Sequence, residues 1–247
     1  MPNPWDIGSA KLLESLGFEA LATTSSGFAA TLGRLDGNVT RDEAIAHAAA
    51  IVGAVGVPVS ADLENGFADD ADGVAETVRR AVGAGLAGCS IEDWSGAAIY
   101  ERKHAVERVA AAVEAARASG EGFVLTARAE NHIHGVDDLD DTIARLQAYQ
   151  EAGADVLYAP GLADLEQIRQ VVGAVARPVN VLALPAAPPV SELAQAGVAR
   201  ISIGGGFAYV AMGAVVQAAR ELTEHGTYGF WDTAAIGAKA WRAAAGS

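Results

Sequence analysis

Four segments of the chain repeat one pattern of polar and apolar positions. SLGFEALATT at 15–24, AGLAGCSIED at 84–93, AGADVLYAP at 152–160 and AGVARISIGG at 196–205 each set a glycine ahead of a short apolar run. The glycine can end a helix in the left-handed conformation, and the run after it reads as a buried strand. Amphipathic stretches lie between them, at 8–16, 41–53, 73–84, 105–118, 138–152, 163–174 and 207–224. Thr40 and Glu43 form a capping-box pair ahead of the second of these. Further strands are predicted at 58–64, 123–130 and 178–184, which with 18–24, 88–93, 156–160 and 200–205 makes seven. Strands alternating with helices predict a parallel sheet with helices outside it. A (β/α)8 TIM-type barrel asks for eight strands, and the stretch left for the first, MPNPWD, is thin. The alternative is an open doubly wound sheet, but its glycine-rich first turn is missing.

Alternation along the strands sorts the polar residues. It puts Ser60, Asp62 and Glu64 on one face, Ser90 with Glu92 on another, and Thr126, Arg128 and Glu130 on a third. Leu63, Ile91, Val124 and Leu125 sit beside them and supply the apolar side that outer helices would cover. The polar sets are therefore expected to point inward, near the C-terminal ends of three consecutive strands, where barrels of this kind carry their chemistry.

Composition narrows the partners. With 247 residues and about half of them apolar, the chain suits a single barrel domain spanning 1–247. A net charge of -14 argues against nucleic acid. No apolar run is long enough for a membrane span, and MPNPWDIG does not read as a signal peptide. Cys89 is the one cysteine, so no internal disulfide forms, and a cytoplasmic location is expected. Buried carboxylates need partners, and Arg128 alone cannot neutralise Asp62, Glu64 and Glu92. An all-oxygen donor set suits Mg²⁺ or Mn²⁺, with one or two direct carboxylates and the rest acting through water.

With these residues in view, the sequence resembles the isocitrate lyase/phosphoenolpyruvate mutase superfamily. The resemblance spans nearly the whole chain. It rests on NPWDIGSAKLLESLGFEAL at 3–21, TTSSGFAATLGRLDG at 23–37, ADLENGF at 61–67, SIED at 90–93, TARAEN at 126–131 and NVLALP at 180–185. It implies a (β/α)8 barrel whose last helix packs on a neighbouring subunit, and C–C or C–P chemistry beside a 2-oxo acid through a metal-held enolate. By position, Asp62 resembles the metal-binding aspartate, and Glu64 and Glu92 resemble acids that hold the metal's waters. By the same resemblance, Asp36 would close the cluster and Arg128 would meet substrate oxygens. Thr24, Ser25, Ser26 and Gly27 resemble the loop that binds the substrate carboxylate, while Trp5 and Asn180 lie in further substrate-side segments.

The sequence departs from that pattern in three places. The usual Asp-x-Asp is Asp62-Leu63-Glu64 here. The Lys-Lys/Arg-Cys-Gly-His loop of the isocitrate and methylisocitrate lyases is replaced by DWSGAAIYERKH, with no thiol. The acid expected soon after Asn180 is absent from NVLALP. The expectation is a Mg²⁺-dependent lyase for a small 2-oxo or 2-hydroxy dicarboxylate of the oxaloacetate type. A C–P mutase or hydrolase on a phosphonopyruvate-like acid and a non-catalytic 2-oxo acid-binding barrel are the alternatives. His132 and His134 offer a weaker candidate metal pair, and GGG at 204–206 reads as a tight strand-to-helix turn. The aromatic tail after Gly226, with Tyr228, Phe230, Trp231 and Trp241, is expected to cross to a partner and build a homotetramer, a dimer of swapped dimers.

Overall fold

The computed structural model describes residues 1–118, 120 and 122–246. One sheet holds seven strands, parallel and in chain order: β1 (Leu21–Ala22), β2 (Val59–Asp62), β3 (Gly88–Glu92), β4 (Val124–Arg128), β5 (Val156–Tyr158), β6 (Val179–Leu182) and β7 (Arg200–Ser202). The helices are α1 (Ile7–Ser15), α2 (Ser25–Thr31), α3 (Arg41–Val52), α4 (Ala71–Gly83), α5 (Arg102–Arg117), α6 (Leu139–Glu151), α7 (Leu165–Ala174), α8 (Val190–Gln195), α9 (Gly206–His225) and α10 (Trp231–Ala245). This is the nearly closed barrel that the alternation predicts.

The predicted strands and helices fall where the glycines place them. Gly17, Gly85, Gly153 and Gly197 all have left-handed φ, at 88°, 79°, 102° and 85°, and each releases the chain from a helix toward the next strand. Two helices were not legible. α2 is built from SSGFAAT, whose small residues read as a loop, and α8 is a six-residue turn too short to show a period.

No strand forms in MPNPWD, yet the seam between β7 and β1 is bridged. The Met1 amine donates to the Ile201 carbonyl at 2.7 Å, and the Ala22 N–H donates to the Pro2 carbonyl at 3.0 Å. The Asn3 side chain donates to the Thr23 carbonyl at 3.2 Å and accepts from the N–H groups of Ile203 and Gly204 at 2.8 and 3.0 Å. Prolines at 2 and 4 have no N–H to give a ladder, so a side-chain amide ties this edge instead.

The core lies between the strands and the helices outside them. Leu63, Ile91 and Leu125, expected on the outer face, are buried there, whereas Val124 at the strand entry is part-exposed. Thr40 caps α3 with the predicted box, Glu43 returning to the Thr40 N–H at 2.9 Å.

Candidate active site

The C-terminal ends of β2, β3 and β4 converge on one guanidinium. Arg128, the last residue of β4, holds Asp62 at 2.9 Å through Nη1, Glu92 at 3.1 Å through Nη2 and Glu130 at 2.8 Å through Nε. Register explains the first two. Glu92 pairs directly with Arg128 across β3 and β4, and Asp62 ends β2 one strand further on. Glu130 was grouped with Arg128 by alternation but given no role; it is 2% exposed and reaches back to its neighbour's Nε.

Glu64 arrives differently from the expectation. β2 ends at Asp62, so strand alternation does not carry Glu64 inward. It stands in the left-handed region with φ 49°, a conformation uncommon for a residue with a side chain, and this turn aims it at the cavity. Thr24–Gly27 is likewise not an open loop. Thr24 caps α2, and Ser25 opens the helix by donating to Asp62 Oδ2 through its hydroxyl at 3.1 Å. A Cβ at Gly27 would stand 2.6 Å from the Thr24 methyl and 2.9 Å from Trp5 Cβ, so only glycine allows this first turn to seat.

A cavity of about 580 Å³ opens above the cluster. Ser25, Asp36, Glu64, Glu92 and Arg128 line it, as do Glu130, Trp94, Ile133 and His134. Asp36 belongs to an exposed stretch, but its carboxyl faces Ser25 and Asp62. Thr24 is buried beneath, and Ser26 bonds the Thr24 hydroxyl at 3.1 Å. Trp5 is not on the cavity wall; its carbonyl meets His47 Nε2 at 2.9 Å. Asn180 is also away from this cavity. It lies inside the barrel, accepting from Arg200 Nε at 2.9 Å and donating to the Ser202 hydroxyl at 3.0 Å.

The charges are out of balance. Burial, with the charges of Asp62 and Asp36 behind it, pushes Glu64 up to about 7. Burial also raises Glu92 well above the ordinary range, with Glu130, Asp62 and Glu64 adding to it against Arg128. Glu130 and Asp36 are raised too, burial first in each case. Burial opposes the charge on Arg128, but Glu130, Glu92 and Asp62 outweigh it and hold the guanidinium charged. One cation faces several buried acids, and burial and like charge favour their protonated forms.

Among the described residues, no three acidic, imidazole or thiol side chains converge into a cage for a metal ion. The donor set instead fits a hard cation held by one or two carboxylates with the remaining acids reaching its waters. The two histidines do not form a pair. They lie in a short 3-10 turn, His132–His134, rather than a strand, so they diverge. His132 turns toward Asp137, and His134 stacks on Trp94 with ring centroids 3.6 Å apart. Neither aromatic nor imidazole was predicted as a cavity wall, because the two residues lie forty positions apart. Cys89 is fully buried, and burial pushes its thiol far above the ordinary range, which removes it from the chemistry.

The fold and site define a parallel α/β barrel with an acid–arginine cluster at the C-terminal ends of its strands. Residues 1–223 match the phosphoenolpyruvate phosphomutase family, and the chain belongs to it. The chain is 35% identical to 2-methylisocitrate lyase of Escherichia coli K12 over 205 residues, which is 77% of this chain and 68% of that one. A crystal structure from Burkholderia cenocepacia J2315, provisionally classed as a lyase or mutase, is 52% identical with TM-score 0.94, covering 98% of this chain and 89% of that one. A structure of oxaloacetate acetylhydrolase in complex with its product oxalate is 27% identical with TM-score 0.84, covering 92% of this chain and 82% of that one.

Proposed function

We propose that the protein is a divalent-metal-dependent lyase that cleaves a C–C bond of a small 2-oxo or 2-hydroxy acid through a pyruvate-type enolate, with oxaloacetate as the parent of the substrate series. The observation that carries this reading is the triple salt bridge of Arg128 with Asp62, Glu92 and Glu130 at the floor of the cavity. A bound Mg²⁺ or Mn²⁺, held by Asp62 with Glu64 and Glu92 acting on its waters, would supply Lewis-acid polarisation of the 2-oxo group. Arg128 is fixed by three carboxylates, and its remaining N–H groups would meet a developing enolate oxygen with little reorganisation. Ser25, at the α2 N-terminus, would turn its hydroxyl from Asp62 Oδ2 to the substrate carboxylate once Asp62 holds the metal. Asp36 closes the rim. The lack of an accessible thiol favours decarboxylation, hydrolysis or retro-aldol cleavage over a lyase route that needs a cysteine acid.

The C–P alternative would ask the same cavity to hold a phosphonate dianion beside a carboxylate, and Arg128 is the one arginine or lysine on its lining. This favours C–C chemistry. Oxalate copies the enolate in shape and charge. Calorimetry on chelator-stripped protein should show oxalate binding only after Mg²⁺ or Mn²⁺ is added. Metal-independent oxalate binding, or none at all, would overturn the reading.

A further inference from the structure

Glu64 and Glu92, the acids assigned above to the metal's waters, sit on backbone that the chain holds from behind. Glu64 and Phe67 both take left-handed φ, 49° and 55°, within one short turn after β2. Residues with side chains keep such conformations only where the surroundings dictate them. Here the surroundings supply a donor to every carbonyl of the turn. The Glu64 carbonyl accepts from the Glu92 N–H at 3.0 Å. The Asn65 carbonyl accepts from Arg108 Nη2, and the Gly66 carbonyl from the Thr77 hydroxyl at 2.6 Å. The Phe67 carbonyl accepts from Arg41 Nη2 at 3.2 Å, and the Ala68 carbonyl from Arg108 Nη2 at 2.9 Å. Donors from β3, α3, α4 and α5 thus converge on residues 64–68.

Arg108 is the donor that joins the two acids. Besides the Asn65 and Ala68 carbonyls it reaches the Glu92 carbonyl through Nη1 at 3.3 Å. One guanidinium therefore ties the end of β3 to the turn after β2. The side chain is 1% exposed, and its donors go to carbonyls rather than carboxylates. Its Nε finds no acceptor among the described residues. Its Cζ stands 4.1 Å from the centre of the Tyr100 ring, and the Tyr100 hydroxyl accepts from Asn65 Nδ2 at 3.2 Å. A buried charge without an ionised partner is a poor way to gain stability. What it supplies is geometry. A planar fork holds carbonyls of two segments at a fixed separation, which an ammonium cannot do.

Resting on the function proposed above, we infer that Arg108 is a positioning residue for the metal site: it holds the Glu64 and Glu92 backbones in the relation at which both carboxylates serve one divalent ion. It acts through these two acids alone, because it does not line the cavity itself.

The test is a calorimetric titration of Mn²⁺ into the chelator-stripped whole protein. Arg108→Lys keeps the charge but offers one nitrogen in place of the fork. Its Kd for Mn²⁺ should rise about 10–100-fold, the range met when groups that orient metal ligands are lost. Binding should weaken rather than vanish, because Asp62 is untouched. A role in packing alone would lower stability and leave the affinity of the folded protein unchanged. Leu193→Ala, a truncation of a buried side chain in α8, is the comparison. It should lower stability in urea and keep the wild-type Kd. Should Arg108→Lys fail to fold, Tyr100→Leu takes its place, since it removes the ring beside the guanidinium and the bond to Asn65 at a half-buried position. It should raise the Kd as well. Wild-type Mn²⁺ affinity in Arg108→Lys, or in Tyr100→Leu where that stands in, would overturn the role of Arg108 alone. Failure of the wild type to bind Mn²⁺ would remove the metal site and this inference with it.

Discussion

Glu64→Gln should make the metal-free protein more stable at pH 8 while weakening its hold on metal. Glu64 is raised from an ordinary 4.5 to about 7, first by burial and then by Asp62 and Asp36. The sign follows from proton counting. Between those two values the folded chain keeps a proton that the unfolded chain has released, so stability is lost as pH rises from 4.5 through 7. At about 1.4 kcal/mol for each tenfold change in proton affinity the displacement amounts to roughly 3 kcal/mol. Solvent screening of a part-exposed side chain reduces this to about 2 kcal/mol. Glutamine keeps the shape and removes the ionisation. Urea unfolding of chelator-stripped proteins should therefore show the variant about 2 kcal/mol more stable than wild type at pH 8 and equal to it near pH 4.5. Saturating Mg²⁺ should shrink the difference at pH 8, because a cation stabilises the wild-type carboxylate and binds the variant less well. Hundredfold excess over Kd alone contributes about 2.7 kcal/mol. If the two proteins keep the same stability difference across that pH range, Glu64 is not an acid disfavoured by burial and its neighbours' charges, and the electrostatic reasoning fails.

Asp62→Ala should abolish Mg²⁺ and Mn²⁺ binding by calorimetry, since Asp62 ends β2 and meets both Ser25 and Arg128; unchanged affinity would sink its assignment as the metal-binding aspartate. Arg128→Lys should cost about 2–4 kcal/mol in urea unfolding, because an ammonium cannot hold three carboxylates with a planar fork. It should also lower oxalate affinity at least tenfold; a variant that binds oxalate normally would show that the guanidinium does not meet the enolate oxygens.

Much of the fold was legible because its strands announce themselves. Each of Gly17, Gly85, Gly153 and Gly197 takes a conformation that other residues avoid, and the apolar run behind it has nowhere to go but the sheet. The Asp62–Glu92–Arg128 core of the site was legible for a related reason: register brings the ends of adjacent parallel strands together. Glu64 was placed in the site by the wrong mechanism, since a left-handed turn rather than strand alternation turns it inward. The Thr24–Gly27 helix start was read as a loop, because small residues score poorly in any helical pattern. Asn180 was assigned to substrate but is taken up by Arg200 and Ser202. The Trp94–His134 stack depends on two excursions from neighbouring strands, and no local pattern reports such a contact.

The last prediction joins two unfinished surfaces of the same chain. A trough of about 710 Å³ runs along the barrel wall beside β7, lined by Phe18, Ala20, Val198, Ile201, Ile203 and Phe207 among others. Barrel strands of this fold lie under helices, and β7 is only partly covered, with Arg200 and Ile201 half-buried. Meanwhile α9 leaves the barrel with Val210 and Val215 about two-thirds exposed, at 69% and 68%. Beyond Gly226, whose left-handed φ of 64° turns the chain, α10 contacts α1 of its own chain but leaves Trp231 and Ile236 in solvent, at 65% and 72%. An open apolar trough and an open apolar helical arm on one chain are complementary across a two-fold axis. We propose that a second copy covers both, each arm crossing to the other barrel, and that two such pairs make the tetramer. Each large side chain covered contributes roughly 1.5–3 kcal/mol. Light scattering should therefore give four chains per particle. A charge placed on the arm, Val215→Glu, should dissociate the particle without touching the active-site cluster, and deletion after Gly226 should break or unfold the assembly. A monodisperse monomer at micromolar concentration would refute the exchange, and the arm would then have to fold over its own trough.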